Sequence, residues 1–256
     1  MDLRPRPRFL HDTESACADL ARAGYALLDA SLTARVAGAP LQALTALAPQ
    51  WNDLPADAHL RDGGHYRRRR HGSFVHTLAT HTLHAVPHRA HWQPTTYNAL
   101  HGGIERWFEP LPPALEAAPA WGGLLIGLGE LFNQVRPAPQ WFIEAHPFRI
   151  DTTDGVGRPT PEGAHRDGVD FVAVILVERQ AVRGGETRVF EADGPHGVRF
   201  TLVQPWSAML LDDLSVIHES TPIQPDGDAP HRDTLVLTYR RGGFQDPEPA
   251  VPRERP

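Results

Sequence analysis

Asp170-Phe171-Val172-Ala173-Val174-Ile175-Leu176-Val177 is a nearly continuous apolar run in the second half of the chain. A strand with one face in water alternates apolar and polar residues. This run does not alternate, so it predicts a strand buried on both faces. Short β-branched and aromatic segments surround it: Trp141 to Ile150, Glu186 to Phe190 after a Gly184-Gly185 turn, Ser207 to Leu211, Leu214 to His218 and Thr234 to Tyr239. Five or six short strands joined by loops predict a sandwich or jelly roll.

Before Trp141 the pattern is mostly helical. Thr13 or Ser15 is a candidate cap for a helix that Gly24 stops, and Tyr25 to Leu28 follows as a short strand. Residues 31–48, rich in Ala and Leu, predict one or two helices before Trp51. Ala114 to Val135 predicts a longer helix, weakened by Gly122, Gly123, Gly127 and Gly129. The stretch 59–101 holds nine of the 15 histidines and the run Arg67-Arg68-Arg69-Arg70. No linker separates the helical and strand parts. We therefore expect a single domain over 1–245: a helix-rich N-terminal part, 1–140, and a jelly-roll core, about 141–245. The Pro-rich, charged tail, 246–256, is expected to be disordered.

The chain has 256 residues, 41% apolar and 22% charged, with a net charge of −6, as in an ordinary globular protein with enough chain for a sizeable core. All 25 basic residues are Arg. With no Lys there is no Schiff-base lysine, no phosphate-loop lysine and no kinase strand lysine. Cys17 is the single cysteine, which excludes an internal disulfide, a four-cysteine zinc site and an iron–sulfur cluster. No apolar run reaches membrane-span length and no signal peptide is evident at the N-terminus, so the expectation is a cytoplasmic protein with no membrane partner. The acidic net charge and the lack of any accompanying motif set aside a nucleic-acid partner for the Arg run.

The chemistry concentrates in three signals. The first is Pro161-Glu162-Gly163-Ala164-His165-Arg166-Asp167-Gly168. In extended chain, positions i and i+2 share a face, so His165 and Asp167 offer an imidazole nitrogen and a carboxylate oxygen to one point. The second is His218, which ends a β-branched run 51 residues past Asp167 (218 − 167). Two histidines and one carboxylate on one face, with the other positions open, form the ligand set of non-haem Fe(II) oxygenases. The third is Arg232, with Thr234 two residues on. A guanidinium fork and a hydroxyl on one strand face suit the distal carboxylate of 2-oxoglutarate.

With these residues in place, the sequence resembles the bacterial 2-oxoglutarate/Fe(II)-dependent dioxygenases that include L-isoleucine 4-hydroxylase. The resemblance spans roughly 50–245 and is densest in TPEGAHRDGVDFV (160–172), RGGET (183–187), LLDDLSVIHESTPI (210–223) and RDTLVLTY (232–239). It implies a mainly β fold with helices packed outside: a double-stranded β-helix, or jelly roll, of cupin-like form. It implies His165, Asp167 and His218 as the iron ligands and catalytic centre, and Arg232, with Thr234, as the 2-oxoglutarate anchor. The cofactors implied are Fe(II), 2-oxoglutarate as cosubstrate and O₂, with ascorbate in vitro. The substrate implied is a small molecule, a free aliphatic L-amino acid among the candidates. Related halogenases carry a small residue where Asp167 stands, so hydroxylation is the expected reaction.

Other residues are weighed beside these. A carboxylate substrate needs a cationic partner, for which Arg68 or Arg69 is a candidate; otherwise the run is a solvated basic face. Trp92, Gln93, Asn98 and Arg106 are candidates for lining or bracing the pocket. His81, His84, His88 and His91 have helix-like spacing, but Pro87 breaks it, and they are expected to be loop or surface residues. Asp212 and Asp213 are expected in a turn that supports the site. Two other readings remain open: a metal-dependent hydrolase on a cupin-like barrel, in which Arg232 lacks a purpose, and a non-catalytic metal-binding or sensory module.

Overall fold

The structure, a computed structural model, describes residues 2–3, 7–98, 100 and 102–247. Most of the tail expected to be disordered, 248–256, lies outside these residues.

The strands are β1 (Asp2–Leu3), β2 (Tyr25–Leu28), β3 (Arg67–Arg69), β4 (Gly72–Thr77), β5 (Thr82–Ala85), β6 (Gln140–Asp151), β7 (Phe171–Gln180), β8 (Val182–Gly184), β9 (Thr187–Glu191), β10 (His196–Phe200), β11 (Ala208–Asp212), β12 (Val216–Ser220), β13 (Ile223–Pro225) and β14 (His231–Arg240). The α-helices are α1 (Thr13–Ala23), α2 (Ala30–Val36), α3 (Leu41–Thr45), α4 (Pro113–Glu116) and α5 (Pro119–Val135). The main sheet runs β2-β11-β7-β14-β6-β4-β5, antiparallel throughout, with β3 also pairing β6. A smaller sheet runs β1-β10-β9-β12, and β13 pairs β8. The result is a mainly β jelly roll with its helices outside.

The decisive run behaves as its composition requires. It forms β7, between β11 and β14, and both of its faces are buried. Phe171, Ala173, Ile175 and Val177 enter the core shared with the helices, while Val172 and Leu176 enter a second core on the inner side of the roll. The outer core is knit by α5. Phe132 stacks on Phe171 with ring centroids 4.6 Å apart, and the Tyr239 hydroxyl donates to the Leu125 carbonyl at 2.9 Å.

Local signals explain the helix bounds. Asp12, rather than Thr13 or Ser15, caps α1: its carboxylate accepts from the Ser15 N–H at 2.7 Å, and Gly24 ends the helix at φ 74°. The run from Ala114 is split, because Pro119 suits only the start of a helix and so begins α5 afresh. The His- and Arg-rich stretch, which hydropathy does not assign, supplies β3, β4 and β5. In β3, Arg67 and Arg69 point inward and Arg68 outward. That alternation is between buried and exposed cations, so apolar periodicity cannot show it.

Gly123 and Gly127 of α5 serve close packing. A Cβ on Gly127 would lie 1.8 Å from the Val36 carbonyl oxygen, and one on Gly123 would lie 2.2 Å from that of Ala37. Gly122 faces open space. Gly127→Ala is therefore expected to lose about 1–3 kcal/mol from overpacking despite better helix propensity. Gly122→Ala is expected to gain about 0.5–1 kcal/mol. Denaturant unfolding of the two variants beside the parent checks this, and equal effects would rule out the close-packing account.

Candidate metal centre and cavity

His165 and His218 face each other on adjacent antiparallel segments. Each backbone N–H donates to the other's carbonyl at 3.0 Å. Such a reciprocal pair puts both side chains on one face, and the ring centroids are 4.6 Å apart. Asp167, two residues on from His165, completes the group. Its carboxylate oxygens lie 3.9 Å from His165 Nε2 and 3.8 Å from His218 Nε2. One donor atom from each of the three residues lies within 4.8 Å of the others.

The surroundings orient this set. His165 Nδ1 donates to the Gly163 carbonyl at 2.9 Å, which leaves Nε2 with its lone pair facing Asp167. The chain between Asp167 and the start of β7 makes no regular sheet, and Asp213 holds it instead. The Asp213 carboxylate accepts from the N–H groups of Asp167 (3.0 Å), Gly168 (2.8 Å) and Val169 (3.1 Å). Gln245 donates to the carbonyls of Asp167 and Gly168 at 3.2 and 2.6 Å. Burial raises the Asp167 carboxyl above its usual range and pushes the His218 imidazole well below its own. A cation among these donors favours the carboxylate and the neutral imidazole.

The three residues open onto a cavity of about 940 Å³, mouth included, between the two sheets. Arg232, Thr234, Val236 and Thr238 line it from β14, at alternate positions. Arg232 is buried, with its Nε unpartnered and no ion pair among the described residues. Burial lowers its pKa to about 10, with Arg179 adding to the effect, so it remains a cation at neutral pH. Gln93, Asn98 and Arg106 line the same cavity; Trp92 is half-buried and does not. Of the Arg run, Arg67 pairs with Asp57 at 2.7 Å, and Arg69 lies between the Phe108 and Phe148 rings at 3.8 and 4.3 Å. Arg68 points out toward Asp151.

Sequence reasoning misplaces His91 and passes over several wall residues. His91 is buried, because its backbone pairs with Arg106 and turns the ring inward. His71, His91, Glu144 and His146 form a second group of donor atoms within 4.8 Å. Glu144 accepts from His71 at 3.1 Å and from His91 at 3.2 Å, Arg69 meets His146 Nδ1 at 2.6 Å, and Arg89 lies 3.5 Å from Glu144. The guanidiniums beside these donors oppose a further dication, whereas among the described residues no Arg forms an ion pair with Asp167 of the triad. Glu162 is the other residue not assigned: its carboxylate lies 3.5 Å from His165 Nε2. The only hint of it is its place three residues before that histidine.

The sequence model of the 2OG-Fe dioxygenase family matches residues 48–238. The chain belongs to this family. The 2OG-Fe dioxygenases use Fe(II), 2-oxoglutarate and O₂, so the chain is an oxygenase. A crystal structure of a bsmA homologue from Methylobium petroleophilum PM1 superposes with a TM-score of 0.91 at 57% identity, covering 96% of this chain and 100% of that one. IDO from Bacillus thuringiensis superposes at 0.73 with 14% identity, covering 94% and 100%. The Fe(II)/α-ketoglutarate-dependent dioxygenase TqaL superposes at 0.67 with 20% identity, covering 90% and 87%. The last two show likeness of fold. No curated protein matches the chain. The donor set here fits the iron of a 2OG-Fe dioxygenase: nitrogen and oxygen, no thiolate, three protein ligands and open space beside them. No helix among the described residues is long and apolar enough to cross a membrane.

The buried wall carries a pH dependence. Burial holds the His91 imidazole down at about 3, against the opposing pull of Glu144. The unfolded chain therefore binds a proton that the native state does not between about pH 6.5 and 3. Stability from neutral His91 is fully present above pH 6.5 and is lost as pH falls through that window, by about 1.4 kcal/mol per pH unit. Urea melts from pH 7 to 4 should show this slope, and His91→Gln should flatten it. An unchanged slope in the variant would mean that His91 is protonated in the native protein.

Proposed function

We propose that this dioxygenase hydroxylates an unactivated C–H bond of a small molecule, a free aliphatic L-amino acid, using Fe(II) held by His165, Asp167 and His218. Arg232, with Thr234, holds the distal carboxylate of 2-oxoglutarate. The observation that carries the reading is the pairing of two elements across one cavity: a three-residue donor face on one side and a buried, unpaired Arg232 on the other. A hydrolase would have no use for that guanidinium.

Bound there, Fe(II) with 2-oxoglutarate and O₂ supplies oxidation of C–H to C–OH, coupled to decarboxylation of the cosubstrate to succinate and CO₂. The chain's own residues bind, orient and shield. His165 is held in one tautomer by the Gly163 carbonyl. Asp167 contributes a carboxylate, where a smaller residue would leave room for a halide, and this supports hydroxylation. Arg232 presents a planar fork from the opposite sheet, where low dielectric strengthens its pairing with an anion. Phe148, Ile150, Val174, Met209 and Val236 give the cavity apolar walls. They exclude water and suit an aliphatic side chain.

His165→Ala, Asp167→Ala and His218→Ala are each expected to abolish 2-oxoglutarate turnover and weaken Mn(II) binding with the fold intact by circular dichroism. Two variants of the three retaining parental turnover at matched metal loading would refute the ligand set. Arg232→Ala is expected to raise the Kd of 2-oxoglutarate roughly 30- to 1000-fold, the loss of about 2–4 kcal/mol for a desolvated bidentate pair. Lys at this position should recover only part of the loss, since a point charge lacks the fork. Calorimetry on Mn(II)-loaded protein measures both, and parental affinity in Arg232→Ala would move the anchor elsewhere. Mass spectrometry over the twenty amino acids tests the substrate: a +16 product is expected from Leu, Ile or Met. Turnover on a peptide or lipid alone would replace the amino-acid reading.

A further inference from the structure

With Arg232 assigned to the cosubstrate, the cavity still holds unmatched charge. Arg67 is matched by Asp57, and Arg69 is enclosed by two aromatic rings and His146. Arg106 has no such company. It is 2% exposed, its Nε has no partner, and it forms no ion pair among the described residues. Among the described residues its guanidinium makes one hydrogen bond, from Nη2 to the neutral Gln93 Oε1 at 2.8 Å. A buried guanidinium with a single neutral acceptor is costly unless an anion arrives.

Glu162 is the complement. Its side chain is 13% exposed, and its Oε2 is buried without a partner. No Arg pairs with it among the described residues; its near neighbour is His165 Nε2 at 3.5 Å. Arg106 and Glu162 line the same cavity, one a guanidinium and the other a carboxyl group, and among the described residues they form no ion pair. Arg106 is not free to swing across. Its backbone is bridged to His91, and its guanidinium is clamped by Gln93, whose Oε1 also accepts from Asn98 at 3.1 Å. The gap between them is one that a ligand carrying both charges closes.

We propose that Arg106 and Glu162 form the recognition site for a zwitterionic primary substrate, Arg106 taking its carboxylate and Glu162 its ammonium. This rests on the reading of Arg232 as the cosubstrate anchor, which leaves Arg106 for the substrate. It assigns the substrate's polar end to two residues and leaves its aliphatic end to the apolar wall. It also passes over the Arg run as the source of the substrate's counter-charge. Gln93 links the two functions: its Nε2 lies 3.5 Å from Asp167 Oδ1 while its Oε1 holds Arg106.

The test is binding to protein loaded with Mn(II) and 2-oxoglutarate, by calorimetry. The probes are the tightest of L-leucine, L-isoleucine and L-methionine, its des-amino acid and its carboxamide. In the parent protein both truncated ligands should bind roughly 30-fold or more weakly, as expected for a buried charge left unpaired. This arm needs no variant. Arg106→Gln should weaken the amino acid and the des-amino acid alike, with 2-oxoglutarate affinity held within about twofold at a separate site. Arg106→Lys should recover part of the loss. Glu162→Gln should weaken the amino acid to the level of the des-amino acid and leave the latter unchanged. Parental amino-acid affinity in Arg106→Gln overturns the proposal while the Arg232 reading stands. Equal weakening of both ligands in Glu162→Gln removes the ammonium role. A parent that binds 2-oxoglutarate but none of the three amino acids overturns the zwitterion site. A parent that does not bind 2-oxoglutarate refutes the Arg232 reading on which it rests.

Discussion

The two backbone hydrogen bonds between His165 and His218 are the constraint on which the site depends. They bring residues from distant parts of the chain directly opposite each other and fix both rings to one face. Asp167 then needs only the i+2 relation to join them. Such a pair is weak alone, and the segment on the His165 side is not a strand. Its rigidity comes from Asp213, which gathers three successive N–H groups, and from Gln245, which gathers two carbonyls. Sheet-like order is thereby imposed on a loop by side chains, and the loop stays open toward the cavity.

The main sheet supplies the other half of the geometry by serving two roles at once. Along β14, Leu235, Leu237 and Tyr239 enter the helix-backed core, and Arg232, Thr234, Val236 and Thr238 line the cavity. The pleat separates them with no further device. The helices matter to the site through this one step. By burying the outer face, α5 and its neighbours hold the sheet that presents the inner face. The tight approach of α5 to α2 at Gly123 and Gly127 is part of the same support.

How much of this was legible follows from the kind of signal each residue carries. β7 is legible because an unbroken apolar run has few alternatives, and the grouping of His165, Asp167 and His218 because their residue types and spacing can bring their donor atoms together. β3 was not readable, because its inward residues are Arg67 and Arg69, which hydropathy counts as surface. His91 was placed outside, since a histidine before a loop carries no mark of burial; its inward turn comes from a bridge to Arg106, 15 positions away (106 − 91). The run from Ala114 reads as one helix because its apolar composition is continuous, and the break at Pro119 is a matter of backbone chemistry that composition does not carry. Glu162 stands within the His165 motif, but nothing in its sequence context marks it. A carboxylate near a metal set gains meaning only once its lack of a partner can be seen.

The cavity wall is built from arginines, and that choice has a physical consequence. Burial lowers both Arg106 and Arg232 to about 10, with the charge of Arg67 adding to it at Arg106 and that of Arg179 at Arg232. A pKa of 10 still leaves each guanidinium charged at neutral pH. An ammonium buried to the same degree starts lower and loses its proton more readily. Charge is thus retained in a low-dielectric space where it is felt strongly and where water does not screen it. Burial in the same wall holds the His91 and His146 imidazoles below their ordinary range, and the neighbouring guanidiniums add to it. The cavity therefore holds two guanidiniums, Arg106 and Arg232, without an ion-pair partner among the described residues, with the carboxyl groups of Asp167 and Glu162 elsewhere on its wall. An anion that enters has two places to go, and the second charge it carries decides which place it keeps.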